Sequence, residues 1–585
     1  MCGLCGIYNP GRNIEEDVLN RMTHIMHHRG PDGYGTWSDT GIGLGHRRLS
    51  IIDAKGGQQP WLSDDRSIVL VYNGELYNYP ELKNRLVNYG HVFHSASDTE
   101  VLLRAYEHWG IDCVLHLNGM FAFAVWDQSQ RRLLLARDHL GIKPLYYTQR
   151  EGCLVFASEI KSLLQTGWCT ASLDLDALSL LFSFRFVPSP RTLFSGIYKL
   201  PPGHRLVVTD KGLVLDRYWT WKPTIRATWN EQDLADEYAV RLAQAVKRQL
   251  RSDVPVGLFL SSGVDSATLL ALMSQNTTQP VQTFTLGFTD NASNSELSDA
   301  ARLACLYGAE HHQRLITAQD YLHYFERYIN DLEEPVAHEP APAFYFLAGL
   351  AANTMKVVLS GQGADEPWAG YDRHRGLSLS RWYSSLPVWL THFIAQTAGR
   401  IPLPLERLKR GLSSLSEPDL TARLAGSYSF FSADLKQGLY RGRLKALHET
   451  GHIRSTDLIH QWQTGITHLD PLSQMLYMDT RSSLPDDLLM VADKTSMAHS
   501  LEVRVPYLDY QLIEFIESLP VHLKMRVMTG KYLHKKAVSR WVPHEVTHRR
   551  KKGFSHPVDT WLRTAFRPLI EELVLSPDSP LAPYF

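Results

Sequence analysis

Short apolar runs broken by Gly, Asn, Asp and Pro dominate residues 2–220: Ser67–Tyr72 (SIVLVY), Met120–Trp126 (MFAFAVW), Arg132–Ala136 (RLLLA) and Cys153–Phe156 (CLVF). Runs of this length bounded by turn residues predict strands. Thr99–Trp109 (TEVLLRAYEHW) carries helical spacing between them, so this half reads as α+β with antiparallel pairing. Pro201, Pro202 and Gly203 lead into a strand at Arg205–Val208, a last strand is expected near Tyr218–Trp219, and the polar stretch 221–233 reads as a linker.

The pattern then changes. A helix is predicted over Glu231–Leu250, followed by the short apolar run Val254–Leu260 (VPVGLFL), a polar turn, a helix starting near Ala267 and a strand over Val281–Phe288 (VQTFTLGF). That alternation is the rhythm of a parallel sheet with crossover helices. Val357–Leu359 supplies a later strand of the same sheet, and the chain beyond it reads as mostly helical. The boundaries that follow are 2–220 and 234–585.

Composition narrows the class. At 585 residues the chain exceeds one ordinary core. A net charge of −1 gives no electrostatic footprint for nucleic acid. Six cysteines in this length make no disulfide framework and point to a reducing, cytoplasmic compartment. The 26 histidines form no metal-binding pattern, the first residues (MCGLCGIYNPGRN) have no signal-peptide character, and apolar stretches such as Leu386–Ala395 are too short to span a bilayer.

Cys2 directly follows the initiator methionine. Removal of Met1 would leave a thiol and a free α-amine on one residue, a nucleophile and a general base together. Taken alone, a cysteine is more often an inert buried side chain, and Cys2-x-x-Cys5 has no second pair to complete a metal site. The neighbouring motifs decide: HHRGPDGYG (His27–Gly35), GLGHRRLSIID (Gly43–Asp53), VYNGELYNY (Val71–Tyr79) and SDTEVLL (Ser97–Leu103). With Cys2 they resemble the class II, N-terminal-nucleophile glutamine amidotransferases. The resemblance implies that Arg48 takes the glutamine α-carboxylate, that Glu75 and Asp98 take its ammonium, and that the Asn73 side chain and Gly74 N–H stabilise the oxyanion.

Leu260–Ser266 (LSSGVDS) stands between a predicted strand and a helix, where backbone N–H groups and the helix dipole make an anion site. It is not a Walker A loop. It is similar to the pyrophosphate loop of the ATP pyrophosphatases, with Ser262 where glycine is usual. Leu359–Glu366 (LSGQGADE) is a second Gly-rich turn after a strand, whose Gly361 and Gly363 allow close approach to a nucleotide. Further on come Leu484–Asp509, Thr529–Ala537 (TGKYLHKKA) and the basic cluster Arg549–Lys552 within RRKKGFSHP, part of which is a candidate phosphate contact.

Together these motifs resemble the glutamine-dependent asparagine synthetases over nearly the whole chain, except roughly Leu377–Pro471. The resemblance implies an αββα sandwich followed by an α/β parallel-sheet ATP-pyrophosphatase domain with helical additions. It implies ATP held by Leu260, Ser261, Ser262, Gly263, Asp265, Ser266, Leu286, Ser360 and Gly361, Mg²⁺ held by Asp265 and Asp365, and charge neutralised near the adenylate by Lys531. The partners are then glutamine, ATP and a carboxylate acceptor, aspartate first; a homodimer is left open. Gln362 departs from the family's usual SGEGxDE, which has Glu at that position. Glutamine there can keep a hydrogen bond or mark another acceptor, such as a sugar acid, a cell-wall carboxylate or a peptide. A non-catalytic relic is disfavoured because all the charged site residues survive together, and a cyclase of the β-lactam-synthetase kind because cyclisation needs no ammonia.

Overall fold

The computed structural model describes the chain except Met1, Lys55, 290–294, 338–340, 379–386, 388, 391–416, 430, 432, 452–453 and 550–556. The expected removal of Met1, most of Leu386–Ala395, and Arg550 to Lys552 therefore fall outside the described residues. No described helix is long and apolar enough to cross a membrane.

The N-terminal half contains two six-stranded sheets whose paired strands run antiparallel. The strand Gly119–Asp127 (GMFAFAVWD) shows why they stack. Ala122, Ala124 and Trp126 pack with Leu4, Ile42 and Leu44 of the other sheet. Phe121, Phe123 and Val125 pack with Val101, Leu102 and Tyr106 of the helix Asp98–Trp109. A central strand covered on both faces needs apolar side chains at both parities. On the far side Cys5, Ile7 and Val155 meet Leu19 and Met22 of the helix Glu16–His24. The layers are thus αββα, as expected.

The C-terminal half has a five-stranded parallel sheet in the order Glu310–Ile316, Gln282–Phe288, Val256–Phe259, Val357–Leu359, Glu502–Arg504. The chain winds outward from Val256–Phe259 on one side and returns to its other side with Val357–Leu359. That reversal is a topological switch point, and ligands in such sheets bind beyond the carboxyl ends of the strands that flank it. The loops beginning at Leu260 and Ser360 occupy those two ends.

Two expectations need correction, and one strand adds to a stretch that is mostly helical as expected. The last strand of the first half is Gly212–Arg217, pairing with His204–Thr209, and Tyr218–Trp219 follows it. There the Tyr218 and Trp219 amides donate to the Gly203 carbonyl instead of to a strand. The helix after the phosphate loop starts at Val264, with Gly263 as its cap, so Asp265 and Ser266 lie in its first turn. The far C-terminal part also gives a strand, Glu502–Arg504, to the parallel sheet; three residues inside a helical stretch leave no periodic signal.

Apolar side chains of both halves share one cluster, with Tyr77, Met120, Leu140 and Ile142 against Val358, Leu501, Val503 and Leu508. Buried ions join it: Arg29 bonds Glu159 at 3.0 Å and Asp493 at 2.8 Å, and Lys199 lies 3.2 Å from Glu334. Buried pairs of this kind fix geometry more than they add stability, and removing one partner is costly.

Candidate active sites

Asn73, Gly74 and Glu75 continue the strand Ile68–Leu76 opposite Gly119–Asp127. The Cys2 nitrogen donates to Asn73 Oδ1 at 2.9 Å. Asn73 Nδ2 is thereby turned away, buried and without a hydrogen-bond partner. An unsatisfied buried donor is costly unless something arrives to use it. A Cβ on Gly74 would lie 2.2 Å from the Met120 carbonyl oxygen and 2.8 Å from the Tyr72 ring, so only glycine fits the strand here.

Arg48 ends the strand Ile42–Arg48 of the other sheet. Its guanidinium donates to the carbonyls of Ala54 (3.0 Å), Ile52 (3.3 Å) and Asp53 (2.6 Å), which fix its plane. Asp98 opens its helix, capped by the Ser97 side chain on Thr99 N. Asp98 Oδ2 accepts from Tyr72 O–H and from Leu76 N–H, each at 3.0 Å. Burial pushes the Asp98 carboxyl up to about 6 despite these bonds. Burial also raises Glu75, and the Arg504 guanidinium, 3.4 Å away, opposes that rise. The Cys2 thiol is raised by burial, with Arg48 acting against it. The fold therefore gathers Cys2, Arg48, Asn73, Gly74, Glu75 and Asp98 at one corner between the two sheets: a thiol, a spare amide donor, an oriented guanidinium and two carboxylates.

At the second centre, Ser266 Oγ donates to the Ser261 carbonyl (3.0 Å) and accepts from Ser261 N–H (3.1 Å), while Ser261 Oγ accepts from Gly263 N–H (3.2 Å). These bonds close the loop over Leu260, Ser261, Ser262 and Gly263. Ser262 is buried and accommodated. Thr285 bonds the Leu260 carbonyl at 2.6 Å, with Leu286 buried beside it on the next strand. A Cβ on Gly361 would be 3.3 Å from Asp265 Cβ and from Ser266 N, so the second loop lies directly against the first turn of the helix.

Lys531 Nζ sits between two carboxylates, 2.6 Å from Asp265 Oδ2 and 2.8 Å from Asp365 Oδ1. It holds a left-handed backbone, φ 59°, at the start of the helix Tyr532–Val538. Three positions later His534 Nε2 reaches Asp265 Oδ1 at 3.3 Å, and its Nδ1 meets Tyr238 O–H at 2.8 Å. Burial works to raise Asp265, but Lys531 and His534 outweigh it and hold the carboxyl well below its usual range. A Cβ on Gly370 would fall 1.9 Å from Asp365 Oδ1 and 2.7 Å from Lys531 Cε. Two carboxylates converging on one cation offer the hard oxygen ligands that Mg²⁺ takes beside phosphates.

Gln362 Oε1 is buried without a hydrogen-bond partner. Glu366, fully buried and bonded by Tyr371 O–H, is pushed up to about 7 by burial and by Asp365. Arg549 is engaged with Asp299 at 2.8 Å. Sequence reasoning missed Tyr72, His534, Gly370 and Arg504. His534 had a signal, its spacing of three from Lys531 on one helical face. Arg504 had none, because its contact with Glu75 joins the two halves of the chain.

A glutaminase centre on an αββα sandwich, joined to a nucleotide-type centre at the switch point of a parallel sheet, defines a glutamine-dependent carbon–nitrogen ligase. Comparison agrees at both ends: a glutamine amidotransferase domain model matches residues 1–219, and an asparagine synthase model matches 237–585. The chain is 33% identical to asparagine synthetase [glutamine-hydrolyzing] 1 of Bacillus subtilis, over 98% of this chain and 90% of that one. It is 36% identical to a putative asparagine synthetase of Mycobacterium bovis (96% and 88% covered) and 30% identical to the amidase chyE of Penicillium rubens (98% and 91% covered). The chain belongs to the glutamine-hydrolysing asparagine synthetase family.

Proposed function

We infer that the protein amidates aspartate to asparagine through an acyl-adenylate, with ammonia from glutamine. The observation that carries the reading is Lys531 between Asp265 and Asp365 at the sheet's switch point, in the same chain as a Cys2 bonded to an Asn73 with a spare donor.

With Met1 removed, the Cys2 amine takes the thiol proton as sulfur attacks the glutamine amide carbon. Asn73 Nδ2 and Gly74 N–H receive the oxyanion, Arg48 holds the α-carboxylate, and Glu75 and Asp98 hold the ammonium. The C–N bond breaks, ammonia leaves with the proton, and water hydrolyses the thioester to glutamate. In the ligase half, the Leu260–Ser266 loop, Leu286, Ser360 and Gly361 hold ATP, with the helix N-terminus facing pyrophosphate. Asp265 and Asp365 would hold Mg²⁺, which supplies charge neutralisation on the phosphates when bound. An acceptor carboxylate oxygen attacks the α-phosphorus and pyrophosphate departs. Ammonia then attacks the acyl carbon, loses a proton, and AMP leaves carrying one carboxylate oxygen. Lys531 offsets the charge that collects on the phosphorus and on the leaving AMP.

Aspartate labelled with heavy oxygen in its side-chain carboxylate should deliver one label into AMP for each asparagine formed. Label in inorganic phosphate, with ADP, would contradict adenylation. A second reading, the same chemistry on another carboxylate, is favoured by Gln362, which lacks the negative charge that the usual Glu would set beside an acceptor. Glutamine turnover with no aspartate-dependent AMP would move the assignment there.

A further inference from the structure

Arg504 belongs to the ligase sheet but ends at the glutaminase centre. In the edge strand Glu502–Arg504, residues 502 and 504 share one face, while Val503 turns into the apolar interface. Arg504 is fully buried, and three partners immobilise its guanidinium. Nε donates to Glu502 at 2.6 Å, and Nη1 donates to the carbonyls of Gln249 (2.7 Å) and Arg251 (2.6 Å). The remaining nitrogen, Nη2, makes no hydrogen bond and lies 3.4 Å from Glu75 Oε1. Among the described residues Glu75 has no ion pair with a cation of its own domain.

We propose that Arg504 is a positioning residue for glutamine binding: the ligase domain supplies the cation that holds Glu75 in place, so the glutaminase centre is incomplete without the ligase domain. The proposal rests on the reading of Glu75 as a partner of the glutamine ammonium. A carboxylate this buried needs a compensating charge before glutamine arrives. A guanidinium anchored on three sides, with its fourth side toward Glu75, supplies that charge at a fixed place. A ligand ammonium then meets a carboxylate already oriented, and less of its binding energy goes into ordering the site. The backbone of the same residue serves the other centre, since its carbonyl accepts from Ser360 N–H at 2.8 Å. Side-chain substitution leaves that bond in place, which separates the two contacts experimentally.

The test uses full-length Arg504→Lys. Lysine keeps the charge but cannot bond Glu502, the two carbonyls and Glu75 together. Glutamine hydrolysis without ATP should show a KM for glutamine raised roughly ten- to hundredfold, the lower part of the range for coupling between close, buried charges. Its kcat and ammonium-dependent AMP formation should each change by only about two- to threefold. An unchanged KM, or both activities falling together, would overturn the proposal. If Arg504→Lys shows no cooperative melt, Glu502→Gln is read by the same criteria, because it loosens the guanidinium while keeping volume. Glu75→Gln runs in parallel. If it raises KM and the Arg504 and Glu502 variants do not, the Arg504 assignment alone falls; if it leaves KM unchanged, the role of Glu75 falls and the proposal with it.

Discussion

Two pairs of carboxylates, one in each half of the chain, are held in opposite ways. Asp98 and Glu75 sit on paired strands and a helix start, both raised by burial, with their only ion pair among the described residues reaching in from Arg504 of the other half. Asp265, in the first turn of the helix after one parallel strand, and Asp365, in the loop after another, close on Lys531, with Asp265 held low. Burial in the first centre disfavours the carboxylates' charge unless a cation faces them, which on the proposed reading is Arg504 and then the glutamine ammonium. The second is partly neutralised by one lysine between two carboxylates, and on the proposed reading those ion pairs would be exchanged for Mg²⁺ and phosphates. On the proposed reading the first centre is preorganised by packing and one buried cation, the second by charge that can be redistributed.

The strongest way to break this division is at Cys2. Cys2→Ala should cut glutamine-dependent synthesis by roughly 10³-fold or more, as removal of a nucleophile does, while synthesis from ammonium salt stays near wild type. A mutant that still consumed glutamine would show that the nucleophile lies elsewhere. Asp265→Asn is the converse. Synthesis from either nitrogen source should fall on the order of 10²-fold or more, the scale of losing one preorganised electrostatic group, with basal glutaminase largely kept. A parallel loss of glutaminase would show that the two centres are not separable.

Packing gives a third test. Gly370→Ala puts a methyl group onto Asp365 and Lys531, and overpacking of about 1–3 kcal/mol should slow ammonium-dependent synthesis roughly ten- to a hundredfold without touching glutamine hydrolysis. The smallest effect is in pH. A carboxyl at about 6 is half protonated there and loses its charge as pH falls. The KM for glutamine should therefore rise below pH about 6, approaching tenfold per pH unit, and the dependence should vanish in Asp98→Asn with KM fixed at a raised value. A flat KM from pH 7 to 5 in the wild type would remove Asp98 from ammonium binding.

The layers were legible because their periodicity is strong. Met120–Trp126 reads as a strand from its apolar run alone, and the alternation of strands and helices after residue 254 announces a parallel sheet. Cys2, Arg48, Asn73 and Asp98 were legible as motifs because they stand in short, ordered groups. What stayed hidden depends on contacts between distant segments. The strand Glu502–Arg504 is three residues long and is a strand only because Val357–Leu359 offers it an edge. Gly370 looks like any loop glycine until Asp365 and Lys531 are seen to fill the place its Cβ would take. The helix start at Val264 is hidden because Val-Asp-Ser reads as loop chemistry, whereas Gly263 provides the cap.

The most direct test of the account supplies wild-type protein with ATP, Mg²⁺, aspartate and glutamine labelled with heavy nitrogen in its amide, and follows asparagine, AMP and ADP together. The account predicts asparagine labelled in its amide, formed one for one with AMP and without ADP. Glutamate and free labelled ammonia, accumulating with no aspartate-dependent AMP, would contradict it.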